Sequence, residues 1–307
     1  MSKLLVILGS TASGKTKLAC NFAAENSGEI ISADSRQVYE GMTIGTGKDL
    51  EEFKVGEVLV PHHLIDIKPP GYKYNISEFQ IDFINAFNEV VSRTNLPILC
   101  GGSGLYIETA LQGNSYLGIP QNDDLRNNLN LLSEEKLKNS YLNIDENILN
   151  NLNAKTTARQ IRAIEINQFL IDNPNWKPIQ LPKIEPVIVG IDIDRELRRK
   201  KITDRLSYRL NHGLIEEVER LVASSLTYKD LAYYGLEYKW VGTYLKGEIN
   251  KKELFEGLNI AIHQFSKRQL TWFRRMEKKG YKINWISAKK TTSIQMEEVA
   301  YYLKKSY

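Results

Sequence analysis

Two cysteines in 307 residues, Cys20 and Cys100, cannot build a disulfide framework. They stand in a helical and a strand-like stretch with no second pair to complete a metal ligand set, so both read as core thiols of a cytoplasmic protein. Long apolar runs are missing too. The first, Leu4 to Leu8, stops at Gly9 and is too short for a signal-peptide core or a membrane span, so no membrane partner is expected. No repeat of solenoid length and no low-complexity linker occurs, which excludes stacked-repeat and tethered architectures. Neither charge sign dominates: 41 basic and 37 acidic residues leave +4, which permits a polyanionic partner without requiring one. Hydrophobic residues at 42% and charged residues at 25% describe a folded protein rather than a disordered one.

What is present has an alternating order. Leu4–Leu8 reads as a buried strand, followed by a glycine loop and a helix from Lys15 to about Glu25. Further apolar runs at 29–33, 97–100 and 186–191 end at Asp34, at Gly101-Gly102 and at Asp192. Short buried strands separated by helices predict an α/β fold: a parallel sheet flanked by helices on both faces. From 121 to 173 the chain turns asparagine-rich with leucines at helical spacing, a helical insertion domain between two halves of a core at 1–120 and 174–307. Beyond Asp194 the pattern is helical to near the C-terminus, with Leu197, Ile202, Leu206 and Leu210 on one stripe.

Gly9-Ser10-Thr11-Ala12-Ser13-Gly14-Lys15-Thr16 fits the P-loop: two glycines with four residues between them, then lysine and a hydroxyl residue. Between a strand and a helix, its backbone amides face inward and the helix N-terminus adds partial positive charge. Lys15 neutralises phosphate oxygens and Thr16 is the candidate Mg²⁺ ligand. This loop binds a diphosphate or triphosphate but does not say what is transferred, and alone it favours an ATP or GTP user. An Asn-Lys-x-Asp guanine-reading motif is missing, which weakens the GTPase reading. His62-His63 invites a metal reading, yet neighbours on a strand face opposite ways and no third ligand is near, so packing is the preferred role.

Ile30-Ile31-Ser32-Ala33-Asp34-Ser35-Arg36-Gln37 places an aspartate past a strand end, where α/β sheets bind ligands. On spacing alone, Asp34 is equally a base or a helix N-cap. Taken in order, the P-loop, this segment, Gly45-Thr46-Gly47-Lys48 and the 62–67 stretch resemble the tRNA dimethylallyltransferases. Gly101-Gly102-Ser103-Gly104-Leu105-Tyr106, Ala158-Arg159-Gln160-Ile161-Arg162 and the run from Gln264 through Arg268, Gln269 and Trp272 to Arg274 are similar to further motifs of that family, and the likeness spans nearly the whole chain.

The resemblance implies transfer of a dimethylallyl group from dimethylallyl diphosphate to N6 of the adenosine just 3′ of the anticodon, in tRNAs reading codons that begin with U. It implies Asp34 as general base, and Thr11 and Arg205 on the diphosphate, Arg205 by its distance from Gly213. Ser35, Arg36 and Gln37 are expected against the flipped nucleotide, with Ser103 and Arg126 near its neighbours. Ala158, Arg159, Gln160, Ile161 and Arg162 would meet the anticodon stem-loop, the two arginines sharing one helical face. Lys267 and Arg268, with Arg274 and Arg275, make a second basic stripe interleaved with Trp272 and Phe273.

One segment departs from the family: Tyr234-Gly235-Leu236-Glu237-Tyr238-Lys239 has leucine after the glycine, where glycine-tyrosine-lysine or -arginine is usual. No zinc-finger extension is seen, so a bacterial-type, monomeric enzyme is expected. Two rivals stay open at this level, a P-loop small-molecule kinase and an RNA-binding module with a vestigial loop.

Overall fold

The computed structural model describes residues 2–113, 115–142, 144–224 and 226–305. The chain forms two compact units, 1–112 with 182–307, and Gly113–Leu181.

The larger unit is built on a six-stranded sheet. It begins with β1 (Ser2–Gly9), α1 (Lys15–Glu25) and β2 (Gly28–Ser32). A 3-10 turn at Leu50–Phe53 leads to a hairpin of β3 (Lys54–Val55) and β4 (Val58–Leu59), then β5 (His62–His63). There follow α2 (Ile76–Ser92), β6 (Leu96–Gly101) and α3 (Gly104–Gln112). The smaller unit contributes α4 (Asp123–Asn130), α5 (Glu134–Tyr141), α6 (Glu146–Leu152) and α7 (Thr157–Asp172). The larger unit resumes with β7 (Ile184–Asp192), α8 (Arg195–Asn211), α9 (Leu214–Ser224), α10 (Leu231–Tyr234), α11 (Leu236–Leu245), α12 (Lys251–Lys278), β8 (Ile283–Ser287) and α13 (Thr292–Lys305).

Strand order is β5-β2-β6-β1-β7-β8, every pair parallel. Leu4 to Leu8 are fully buried, because β1 lies between β6 and β7 with helices over both faces; that is why its sequence is a run and not an alternation. Parallel strands bring the ends of β1, β2, β6 and β7 to one edge, and the loops after Gly9, Ser32, Gly101 and Asp192 open there. Side chains set several of the helix starts. Asn75 caps α2 in a capping box with Glu78, and the Asp194 carboxylate caps α8 by accepting from the amides of Glu196 and Leu197.

The expected all-helical C-terminal third is corrected by β8, which adds the sixth strand. Among the described residues, 283–287 pair with β7 alone, and only Ile283 and Ile286 are buried, so no continuous apolar run marks them. The small strand pair 54–59 likewise lacked a signal.

The helical unit spans Gly113–Leu181, wider at both ends than the 121–173 read from the sequence. Its flanks are held by packing: Tyr116 and Ile119 enter a core with Ile144, Ile148, Ala163 and Ile166, and Trp176 packs against it. Ile161 joins Leu129 and Leu137 in a second cluster.

Candidate active site

The loop after β1 has the backbone its glycines permit. Gly14 stands at φ 91°, a left-handed conformation favouring glycine, immediately before α1. Ser13 N donates to Ser10 O (3.2 Å) and Leu18 N to Gly14 O (3.1 Å), closing the turn onto the first turn of α1. Among the described residues the buried hydroxyls of Ser10 and Ser13 have no hydrogen-bond partner, as in a loop shaped around a ligand. Lys15 is half-buried; burial lowers the pKa of its ammonium, an effect that the negative field of Asp34 partly offsets.

Asp34 follows β2 and no helix begins there: residues 35–38 form a turn, so the N-cap reading is excluded. Its Oδ1 accepts from Arg36 N at 2.9 Å, which fixes the carboxylate, while Oδ2 has no protein partner among the described residues. Gln37 is spent on the loop itself, its Oε1 accepting from Ser32 Oγ (2.9 Å) and its Nε2 donating to Gly47 O (3.1 Å). The Arg36 guanidinium lies over the Tyr233 ring, 5.2 Å from its centroid.

Segment 43–49 forms the facing wall. Fully buried Lys48 pairs with Asp66 and donates to Tyr39 O. Buried Glu217 accepts from the amides of Thr43 (2.9 Å), Ile44 (2.8 Å) and Gly45 (3.0 Å) and from the Tyr238 hydroxyl (2.8 Å). Asp49 in turn meets Arg209 (3.2 Å) and Arg205 (3.7 Å). Burial, reinforced by Arg209, brings the Arg205 guanidinium down to about 10, still protonated at neutral pH.

The glycine loop after β6 gives α12 its seat. A Cβ on Gly104 would sit 2.1 Å from Cδ1 of Trp272, so the indole packs where only glycine leaves room. Arg275 covers that indole at 4.0 Å from the ring centroid and pairs with Glu108 (2.7 Å). One turn earlier on α12, Gln269 Oε1 accepts from Thr11 N (2.8 Å) and Thr11 Oγ1 (3.2 Å), and its Nε2 donates to Gly102 O (3.1 Å).

These loops enclose one cavity of about 550 Å³. Thr11, Asp34, Ser35, Arg36, Ser103, Arg205 and Arg268 all line it, so the structure joins residues expected for the leaving group, the base and the acceptor. Leu105, Tyr106, Leu236, Ile262, Phe265 and Trp272 supply an apolar side. Lys15, Thr16, Asp34 and Gln37 line a recess beside it. Lys267 is exposed and lines neither cavity nor recess.

In the helical unit the expected RNA-facing set divides. Buried Glu165 is gripped by Arg126 through Nε (2.7 Å) and Nη2 (2.8 Å) and by Arg162 through Nη1 (3.2 Å). Arg162 also donates to Ile119 O (2.7 Å) and Pro120 O (2.9 Å), and burial lowers its pKa against the pull of Glu165. Ile161 is 5% exposed and belongs to the core. Ala158 and Arg159 are exposed and Gln160 is half-buried.

The histidines take the packing role: His63 Nε2 meets Glu29 (2.7 Å) and His62 lies against Phe53. Among the described residues no group of three or more His, Cys, Asp or Glu gathers to hold a metal, and both cysteines are buried and free. Sequence reasoning passed over Gln269, Glu217, Asp49 and Glu237. Gln269 stands three residues before Trp272, on one helix face, a spacing that would have marked it. Glu237 lines the cavity with its pKa raised by burial, and nothing in its spacing announced that.

A phosphate loop between β1 and α1, with a strand-end carboxylate on the same cavity, defines a P-loop protein built for group transfer. The family model described as IPP transferase matches residues 37–276, and one described as Isopentenyl transferase matches residues 2–56. The chain is 48% identical over 301 residues to tRNA dimethylallyltransferase 2 of Bacteroides fragilis, covering 98% of this chain and 96% of that protein. It is 47% identical over 296 residues to tRNA dimethylallyltransferase 2 of Porphyromonas gingivalis, covering 96% and 97%. The crystal structure of the tRNA isopentenylpyrophosphate transferase from Bacillus halodurans superposes with a TM-score of 0.72 at 30% identity, covering 100% and 97%. The chain belongs to the tRNA dimethylallyltransferase family and is a prenyltransferase of tRNA.

Proposed function

We propose that this enzyme takes dimethylallyl diphosphate as donor and N6 of the adenosine 3′ of the anticodon as acceptor, in tRNAs reading codons that begin with U. The observation that carries this reading is the single cavity lined at once by Thr11 of the phosphate loop, Asp34, Arg205 and an apolar wall of Leu105, Phe265 and Trp272. A five-carbon prenyl chain needs apolar surroundings, its diphosphate needs cations and amides, and a weakly nucleophilic arylamine needs a base.

In the reaction the N6–C1 bond forms, the C1–O bond to diphosphate breaks and one N6 proton passes to Oδ2 of Asp34. Arg36 N holds Oδ1 so that Oδ2 faces the acceptor. Gly9 to Thr16 cradle the diphosphate, with Lys15, Thr11 and Arg205 stabilising the charge that builds on departure. The oxygen donors of the recess, the hydroxyl of Thr16 above all, fit a hard cation that keeps phosphate and water ligands, so Thr16 would hold Mg²⁺, whose charge would favour the leaving group. Ser35, Arg36 and Ser103 receive the flipped base, with Gln37 bracing their loop. Arg159, Ala158 and Gln160 of the helical unit, and Lys267 and Arg268 of α12, hold the anticodon stem-loop, while Arg126 and Arg162 set the shape of that unit around Glu165. The enzyme acts as a cytoplasmic monomer; among the described residues no helix is long and apolar enough to cross a membrane.

Incubation with unmodified tRNA and dimethylallyl diphosphate, with ATP and tRNA as the paired control, tests the proposal by nucleoside analysis. Prenyladenosine is expected only in the first arm. ATP turnover without prenyladenosine would instead support a kinase.

A further inference from the structure

The core unit pairs several of its arginines with carboxylates. Arg93 meets Glu29 and Glu89, Arg205 and Arg209 meet Asp49, and Arg275 meets Glu108. The first two turns of α8 break this habit. Arg195, Arg198 and Arg199 of α8, with Arg274 of α12, have no ion pair or side-chain hydrogen bond among the described residues. They are nonetheless gathered together. Half-buried Arg198 has its pKa lowered by burial and then by the positive fields of Arg195, Arg274 and Arg199. Asp194, whose negative field acts on Arg198, is occupied with capping α8.

Arg195, Arg199 and Arg274 are exposed around half-buried Arg198, so the four form a like-charged surface patch whose repulsion an anion would relieve. Location narrows the choice. Asp194 follows β7, whose Ile191 pairs with Gly9, so the cluster stands at the sheet edge that carries the phosphate loop. It also follows the seam of α8 and α12, which Thr203 and Asn259 join farther along (3.0 Å), and the same two helices carry Arg205 and Arg268 into the cavity. Arg195 and Arg199 stand one turn apart, about 6 Å along α8, and Arg274 comes from α12, a spacing that suits adjacent phosphates of one backbone.

We propose that Arg195, Arg198, Arg199 and Arg274 form a docking track for the phosphodiester backbone of the acceptor RNA, on the strand that leads away from the reacting adenosine. This rests on the reading above that the acceptor is tRNA. The track positions RNA and does not touch the reacting atoms. Its effect is therefore on RNA affinity, not on turnover of the bound complex.

The test is the Arg198→Ala/Arg199→Ala double variant, with Arg220→Ala/Lys229→Ala, at two exposed positions, as a charge-matched surface control and thermal melting as the check of folding. KM for tRNA should rise at least about tenfold, with kcat at saturating tRNA and KM for dimethylallyl diphosphate within about twofold of the parent. The slope of log Kd against log salt for tRNA should fall by about 1.4, the loss of two contacts to single-stranded RNA. The Arg198→Lys/Arg199→Lys variant should recover most of the affinity. If the alanine variant fails to fold, Arg195→Ala/Arg274→Ala is measured the same way. Unchanged tRNA affinity and salt slope overturn the proposal, as does a rise confined to KM for dimethylallyl diphosphate, which would make the cluster part of the leaving-group site. Binding of anionic lipid vesicles that is lost in the variant while tRNA affinity is kept overturns it in favour of a membrane surface. Absence of prenyladenosine with the parent enzyme is a different result: it removes the acceptor reading itself.

Discussion

Gln269 on α12 and Thr11 in the phosphate loop are joined twice, the glutamine Oε1 accepting from the threonine's amide at 2.8 Å and from its hydroxyl at 3.2 Å. The same side chain reaches Gly102, so one neutral residue registers α12 against two ligand loops.

Gln269→Ala should therefore loosen the phosphate loop without removing any charge. Losing hydrogen bonds worth about 1 kcal/mol each predicts a five- to thirtyfold rise in KM for dimethylallyl diphosphate. Steady-state kinetics with the donor varied at saturating tRNA measure it; an effect on tRNA KM alone would contradict the assignment.

Asp34→Asn keeps an oxygen for Arg36 N while losing the basic one. kcat should fall by about 10² to 10⁴, and the Kd for tRNA should stay within a few-fold. Single-turnover prenylation and filter binding separate the two. Equal loss of both would make the residue structural.

Glu165 is buried beneath two guanidinium groups, so Glu165→Ala strands Arg126 and Arg162 without a counter-charge. Breaking such a pair costs about 3–5 kcal/mol. Hydrogen exchange should show faster opening within residues 113–181 while β1 and β6 keep their protection. Arg162→Ala would disturb the same network and its bonds to Ile119 and Pro120, so exposed Arg159→Ala is the cleaner probe of RNA contact in this unit. Arg159→Ala should reduce the salt dependence of tRNA binding with no change in melting temperature.

Glu29 supplies a pH dependence. Arg93 bonds both its oxygens (2.9 and 2.7 Å) and, against the opposing effect of burial and aided by Asn95 and His63, holds its carboxyl at about 2, below the ordinary 4.5. A depressed pKa gives stability that is fully present above pH 4.5 and is lost as pH falls towards 2, worth about 3 kcal/mol. Urea unfolding should show Glu29→Gln much less stable than the parent at pH 7, with the gap narrowing between pH 4.5 and 2.

Much of the architecture was legible in the chain. Buried parallel strands must be apolar on both faces, so β1, β2, β6 and β7 announced themselves as runs, and Gly14 before Lys15 marked a turn that other residues adopt at a cost. Sequence motifs in order also named the family. The edge strand β8 was illegible because three of its five residues are only half-buried, and the limits of the helical unit were blurred because Tyr116 and Trp176 sit in stretches without helical periodicity.

Of the site, the sequence by itself determined the residues whose chemistry depends on local backbone: the phosphate loop, the strand-end Asp34, the glycine loop before α3. Tertiary structure alone decided which charges remain available. Arg126 and Arg162, expected against RNA, are tied together through Glu165, and Arg198, which the sequence did not mark, feels the positive field of Arg274 from another helix. Local periodicity places a side chain on a face, but its partner comes from residues far away in the chain, and that pairing decides whether a charge is spent within the fold or left for a ligand.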